Sequence, residues 1–204
     1  MREKKFGFFG GTFDPIHFGH LNLAVHLLEM HNLDKIVVCP AQYSPHKSGD
    51  QPHISAKHRY QMTALAISPI EKLEISDLEI HREGPSYTID TVRALIKENS
   101  TKDQDIRWHL ILGEDSLNGF SQWKEVEELV QLASPLIGSR IGQLNALDLQ
   151  LSAPLFQAME KGLTKIPIME ISSTAIRERL RQKRYCGHLV PARVLEYINE
   201  HKLY

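Results

Sequence analysis

The sequence predicts an α/β fold, a doubly wound parallel sheet with helices on both faces. Three observations predict it. Short β-branched or aromatic runs alternate with longer helical patterns from end to end. The chain has 204 residues, 42% hydrophobic and 24% charged, which is ordinary globular composition with room for a full core. It shows no repeats, no low-complexity segment and no linker, so residues 1–204 read as a single domain.

In chain order, Phe6 to Phe9 reads as the first strand and Gly10-Gly11 as a turn. Leu21, Ala24, Val25 and Leu28 form the apolar stripe of the first helix. Ile36 to Cys39 is a second strand stopped by Pro40, and Ala41 to Pro52 is a polar loop. Ser55 then caps a helix carrying Tyr60, Leu65 and Ala66. Lys72 to Ile75 reads as a third strand, and Ser86 to Thr88 opens a helix with Val92 and Leu95 on one face. Glu98 to Asp105 is a surface turn before a strong fourth strand, Ile106 to Leu112, which enters Gly113. Trp123 to Leu132 is helical, Pro135 to Ile137 a fifth strand, and Gln143 to Gly162 matches no single pattern. Lys165 to Met169 reads as the last strand. The hydroxyls of Ser172, Ser173 and Thr174 cap a helix bearing Ile176 and Leu180, and Pro191 starts a final helix through Ile198.

Charge and cysteine usage exclude several function classes. With 24 Lys+Arg against 25 Asp+Glu the formal charge is -1, which argues against wrapping a polyanion, so no nucleic-acid partner is expected. Cys39 and Cys186 are too few for a disulfide framework and point to a reducing compartment, the cytoplasm. Met1 to Lys5 leads into only a few apolar residues before Gly10, too short for a signal peptide or a membrane span. Eleven histidines, seven of them at or before His58, are the departure from the ordinary.

Gly10, Gly11, Thr12 and Phe13 lead through Asp14-Pro15-Ile16 to His17-Phe18-Gly19-His20, after a strand and into a helix. Backbone amides and a helix N-terminus there suit an anion such as phosphate. The loop lacks the Gly-Lys-Ser/Thr of a Walker A motif and the G-x-G-x-x-G dinucleotide fingerprint. A spacing of three puts the His17 and His20 rings on one face of the first helical turn, and Gly19 removes a side chain between them. From spacing alone the pair reads either as phosphate ligands or as one capping and one solvated histidine.

His17-Phe18-Gly19-His20 resembles the signature of the nucleotidyltransferase superfamily, histidine, any residue, glycine, histidine. The longer run from Gly10 to His20 is similar to that of the bacterial nicotinate mononucleotide adenylyltransferases. The likeness continues through Pro45-His46-Lys47, Ser86 to Thr91, Gly113-Glu114-Asp115, Trp123 and Ile171 to Arg177. The resemblance implies a Rossmann-like sheet and transfer of AMP from Mg²⁺-ATP to nicotinate mononucleotide, giving deamido-NAD and pyrophosphate. It implies that His17 and His20 contact the ATP phosphates, with His20 on the transferring group, that Lys47 approaches them, and that Arg177 holds the β- and γ-phosphates. Ser173 and Thr174 would lie near the same phosphates, Thr88 and Trp123 on the acceptor side with the indole near the pyridine ring, and Asp115 near a ribose.

Without the resemblance, Lys47 reads as a surface lysine, Arg177 as part of a wet helix face, Trp123 as a core anchor, and Thr88 and Asp115 as caps. His109, in an apolar strand, reads as a core histidine. Two departures stand out. Arg140 lacks the proline that follows the family's arginine, and Gln143 to Phe156 matches nothing in the family. The implied reaction needs no strong base, because a phosphate nucleophile is already ionised. The rival readings are an adenylyltransferase for nicotinamide mononucleotide or phosphopantetheine, a non-catalytic nucleotide sensor, and a metal-binding module from His17, His20 and Cys39. The expected partners are the two small-molecule substrates, with no membrane, no resident metal, and a homo-oligomer compatible with the sequence.

Overall fold

The computed structural model describes residues 2–43, 52–100, 105–140, 142–144, 151–167 and 169–204. Its strands are β1 (Lys4–Gly11), β2 (Lys35–Pro40), β3 (Leu73–Ile75), β4 (Ile106–Gly113), β5 (Ala133–Ser139) and β6 (Leu163–Lys165). Its helices are α1 (Phe18–Met30), α2 (Ala56–Ile67), α3 (Thr88–Asn99), α4 (Val126–Leu132), α5 (Ala153–Gly162), α6 (Ser173–Arg181) and α7 (Ala192–Glu200). The strands form one sheet in the order β3-β2-β1-β4-β5-β6. β1 pairs with β4, β4 with β5 and β5 with β6, all parallel, with Phe8 opposite Leu110 and Leu112 opposite Ile137. Strand order reverses direction after β1, which is the doubly wound arrangement the alternation predicts. Phe6, Phe8, Phe9, Leu110, Ile111 and Leu112 are all buried, because a parallel sheet is covered on both faces.

Several boundaries differ from the sequence reading. Gly10 and Gly11 are the last residues of β1, not a turn, because Gly11 O still accepts a bond from Ala41 N at 2.9 Å. The chain turns afterwards, where Phe13 takes φ 48° and the Asp14-Pro15 bond is cis. Trp123 precedes its helix. A short 3-10 turn at Phe120–Gln122 ends at Trp123, and left-handed Glu125 interrupts the run, leaving α4 to bury Val126 and Leu129. The last strand is Leu163–Lys165 and not Lys165 to Met169, since Pro167 offers no N–H for a ladder. Gly162 admits it there: a Cβ at that position would stand 1.8 Å from Pro135 O. Glu98 belongs to α3, Pro191 is the residue before α7, and α5 occupies the end of the unassigned Gln143 to Gly162 stretch. α2 is capped as expected, with Ser55 Oγ accepting from His58 N, but its buried face is Arg59, Met62, Thr63, Ala66 and Ile67 in place of Tyr60 and Leu65. In α1 the buried residues are Ala24, Leu27 and Leu28.

The described chain packs as two compact units. One comprises residues 1–9, 23–37 and 87–168. In it Gly138 makes room over β5 for Leu23 and Ile166, whose side chains would stand 2.3 and 2.6 Å from a Cβ. His31 Nε2 lies 2.7 Å from Thr164 Oγ1, and His109 sits in β4 with its pKa lowered by burial. The other unit comprises residues 10–22, 38–86 and 169–204, in which α2 packs against α7 and β3. His58 Nδ1 lies 2.9 Å from Tyr197 Oη there.

Candidate active site

The loop after β1 and the first turn of α1 belong to the second unit, as do α2, α6 and α7. Phe13 is buried, and its ring meets His20 edge to face with centroids 5.1 Å apart. Two glycines permit this close packing. A Cβ on Gly11 would lie 2.8 Å from the Phe13 ring, and one on Gly19 would lie 3.0 Å from His17 Nδ1 and 3.4 Å from Met169 O.

The His17 and His20 rings stack with centroids 3.7 Å apart and planes inclined by 21°. His20 N donates to His17 Nδ1 at 3.4 Å, and His17 N donates to His20 Nδ1 at 3.3 Å. In a neutral imidazole whose Nδ1 accepts, the proton sits on Nε2, so each ring presents an Nε2–H donor. Burial holds the His17 pKa down to about 4, leaving that ring neutral near pH 7. His17 therefore supplies a neutral donor and not a fixed cation.

The backbone of this loop is tied down carbonyl by carbonyl. Arg59, 1% exposed on α2, donates from Nη1 to Thr12 O at 2.6 Å, from Nη2 to Gln42 O at 3.1 Å and from Nε to Ile54 O at 3.4 Å. Arg177 Nη1 donates to Asp14 O at 2.8 Å, and Ser173 Oγ donates to Pro15 O at 2.9 Å. The Asp14 carboxylate is itself buried. Tyr204 Oη donates to its Oδ1 at 2.7 Å and His53 N to its Oδ2 at 2.9 Å, with Arg177 Nη1 4.0 Å away. Burial lowers the Arg59 pKa and the Asp14 charge opposes that effect.

The predicted site residues divide between the two units. Gly10, Gly11, Thr12, Phe13, His17, Gly19, His20, Ser173, Thr174 and Arg177 fall in the second. Ser172 Oγ caps α6 by accepting from Ala175 N, so Ser173 and Thr174 open its first turn. Arg177 is buried, not part of a wet face. Its Nη2 donates to Thr174 Oγ1 at 3.1 Å, and its Nε has no partner among the described residues. Lys47, with Pro45 and His46, lies outside the described residues. Thr88, Asp115 and Trp123 fall in the first unit. Thr88 is the first residue of α3 and not its cap, Asp115 is exposed in a 3-10 turn at Glu114–Leu117, and the half-buried Trp123 ring lies 4.8 Å from Phe120. The segments carrying Thr88 and Trp123 are joined by Lys124 Nζ to Asp90 Oδ2 at 3.0 Å and by Arg93 to Glu128 at 2.6 Å.

Among the described residues no group of three or more His, Cys, Asp or Glu could hold a metal ion. Burial pushes the Cys39 thiol up to about 12, which disfavours the thiolate a metal ligand requires. Sequence reasoning passed over Arg59, Asp14 and Tyr204. Arg59 carried a signal, since its spacing to Met62, Thr63 and Ala66 puts a guanidinium on the apolar stripe of α2.

The cytidylyltransferase-like family matches residues 8–179. The nicotinate-nucleotide adenylyltransferase of Bacillus subtilis is 37% identical over 201 residues, covering 98% of both chains. A protein of Synechococcus sp. (strain JA-3-3Ab), named probable nicotinate-nucleotide adenylyltransferase, is 36% identical over 206 residues, covering all of this chain and 96% of that one. The fold is similar to that of a Plasmodium falciparum nicotinic acid mononucleotide adenylyltransferase complexed with APC. The TM-score is 0.75 at 21% identity, covering 99% of this chain and 98% of that one.

Proposed function

We infer that this chain, which belongs to the nicotinate-nucleotide adenylyltransferases of the cytidylyltransferase-like family, transfers AMP from ATP to nicotinate mononucleotide. The products are deamido-NAD and pyrophosphate, in NAD biosynthesis, and residues 1–204 act as one nucleotidyltransferase domain. The observation that carries the reading is the stacked His17 and His20 pair on a loop whose carbonyls are held by Arg59, Arg177 and Ser173.

A phosphate oxygen of the acceptor attacks the α-phosphorus of ATP, the bond to the bridging oxygen breaks, and pyrophosphate leaves with the electron pair. The nucleophile is already an anion, so the protein's work is alignment and charge stabilisation. The Nε2–H of His20 donates to the transferring group, and His17, kept neutral by burial, donates to the neighbouring phosphate. Gly10, Gly11, Thr12, Phe13 and Gly19 let ATP approach the backbone. Lys47 approaches the phosphates, and Ser173 and Thr174 lie beside them at the start of α6. For Arg177 to hold the β- and γ-phosphates, Nη2 exchanges Thr174 Oγ1 for a phosphate oxygen and the unpartnered Nε is a further donor. Thr88 and Trp123 receive the acceptor, the indole against the pyridine ring, with Asp115 on a ribose hydroxyl.

Magnesium arrives as Mg²⁺-ATP, where it offsets charge on the leaving phosphates. Two buried, unbridged cysteines support a cytoplasmic location. The test is pyrophosphate release from Mg²⁺-ATP with nicotinate mononucleotide, nicotinamide mononucleotide and phosphopantetheine in separate reactions. Nicotinate mononucleotide is expected to give the highest kcat/KM. A higher value with another acceptor reassigns the substrate, and no release with any of them favours a nucleotide-sensing protein.

A further inference from the structure

Tyr204 follows α7 and reaches back into the loop that precedes the histidine pair. Its placement is built by the end of that helix. Lys202 takes φ 50°, Lys202 N donates to Asn199 O at 3.3 Å, and Leu203 N donates to Ile198 O at 3.0 Å. This is a Schellman turn, which ends the helix and redirects the chain. Tyr204 Oη then donates to Asp14 Oδ1 at 2.7 Å. Burial and the Asp14 charge raise the phenol pKa well above its usual range, so the hydroxyl stays a donor at any working pH.

Asp14 stands three residues before His17, in the stretch that sets where α1 begins. Its second oxygen is taken by His53 N, its carbonyl by Arg177, and its side chain is 5% exposed. Without the phenol, Oδ1 has lost a donor in a site with little access for water. The carboxylate then turns toward the cation already 4.0 Å away, Arg177 Nη1, and draws on the group that holds Asp14 O. Either movement displaces the loop leading to His17 and His20.

Resting on the transfer reading above, we propose that Tyr204 is a positioning residue, acting through the Asp14 carboxylate on the His17 and His20 pair. It touches neither substrate. Its contribution belongs to the geometry of transfer, so it is read in kcat and not in acceptor binding.

The test is Tyr204→Phe made in the wild-type and His20→Ala backgrounds and assayed by pyrophosphate release with Mg²⁺-ATP and nicotinate mononucleotide. In the wild type, kcat is expected to fall about tenfold, as for a sub-ångström misplacement, with KM for nicotinate mononucleotide within about twofold. In the His20→Ala background the same change is expected to cost less than about threefold, because one of the two rings it positions is gone. Equal losses in both backgrounds, or an unchanged kcat in the wild type, overturn the role of Tyr204. Absence of transfer by the wild-type protein overturns the transfer reading and this role with it. Should Tyr204→Phe fail to fold, Lys202→Pro carries the test, since proline cannot take the positive φ and the intact phenol is led away. It is expected to copy the tenfold loss, and wild-type kcat in that variant overturns the proposal.

Discussion

Replacing Arg59 by Met keeps the length and apolar stem of the side chain and deletes the guanidinium. Three carbonyls lose a donor: Thr12 O at 2.6 Å, Gln42 O at 3.1 Å and Ile54 O at 3.4 Å. The third is long and counts for little. Thr12 O and Gln42 O are part-buried acceptors, so each loss falls at the low end of about 1–3 kcal/mol, and Asp14 also loses a neighbouring cation. Removing a desolvated charge offsets part of this. The net expected loss is about 2 kcal/mol, which at this chain length lowers Tm by roughly 5 °C. Urea unfolding followed by circular dichroism measures it. Arg59→Lys is expected to recover about half, because one ammonium cannot reproduce the planar fork that reaches separate carbonyls. A loss below about 0.5 kcal/mol for Arg59→Met would mean that the carbonyls find other partners, and the anchoring argument fails.

His20→Ala is expected to lower kcat by about 10² or more with the fold retained by circular dichroism, and turnover within threefold of wild type removes its assigned role. Gly19→Ala adds a Cβ 3.0 Å from the His17 ring, so kcat should fall about tenfold. The helix propensity gained, up to about 1 kcal/mol, keeps Tm close to wild type, and full activity would show that the ring can give way freely. His17 has a folded pKa of about 4 against 6.5 when exposed, so between those values the unfolded chain binds a proton that the native state refuses. Stability is unaffected above pH 6.5 and falls as pH drops toward 4, by about 2 kcal/mol between pH 7 and 5. The lowered pKa values of His31 and His109 act in the same direction. Urea titrations at each pH check this, and His17→Asn should flatten the slope; an unchanged slope in that variant assigns the effect elsewhere.

Two histidines flanking Phe18-Gly19 were legible because their meaning is local: a strand, a tight loop and a helical turn fix a spacing of three onto one face. The alternation of strands and helices was legible for the same reason, and the parallel pairing of β1, β4, β5 and β6 follows from it. The strand after α5 was misplaced because Gly162 meets Pro135 O, a contact across 27 positions of sequence that no periodicity encodes. Trp123 was misplaced because left-handed Glu125 breaks a pattern that apolar spacing carries without interruption.

By itself the sequence determined the fold class, the spacing of the histidine pair and the family, all properties of residues close together in the chain. Only the tertiary structure decided what holds that loop. Arg59, Arg177 and Tyr204 converge on Thr12 and Asp14 from 47 to 190 positions away in the chain, and their partners are mostly backbone carbonyls. A carbonyl has no letter of its own in a sequence, so a guanidinium committed to it reads as an ordinary surface charge until the chain has folded around it.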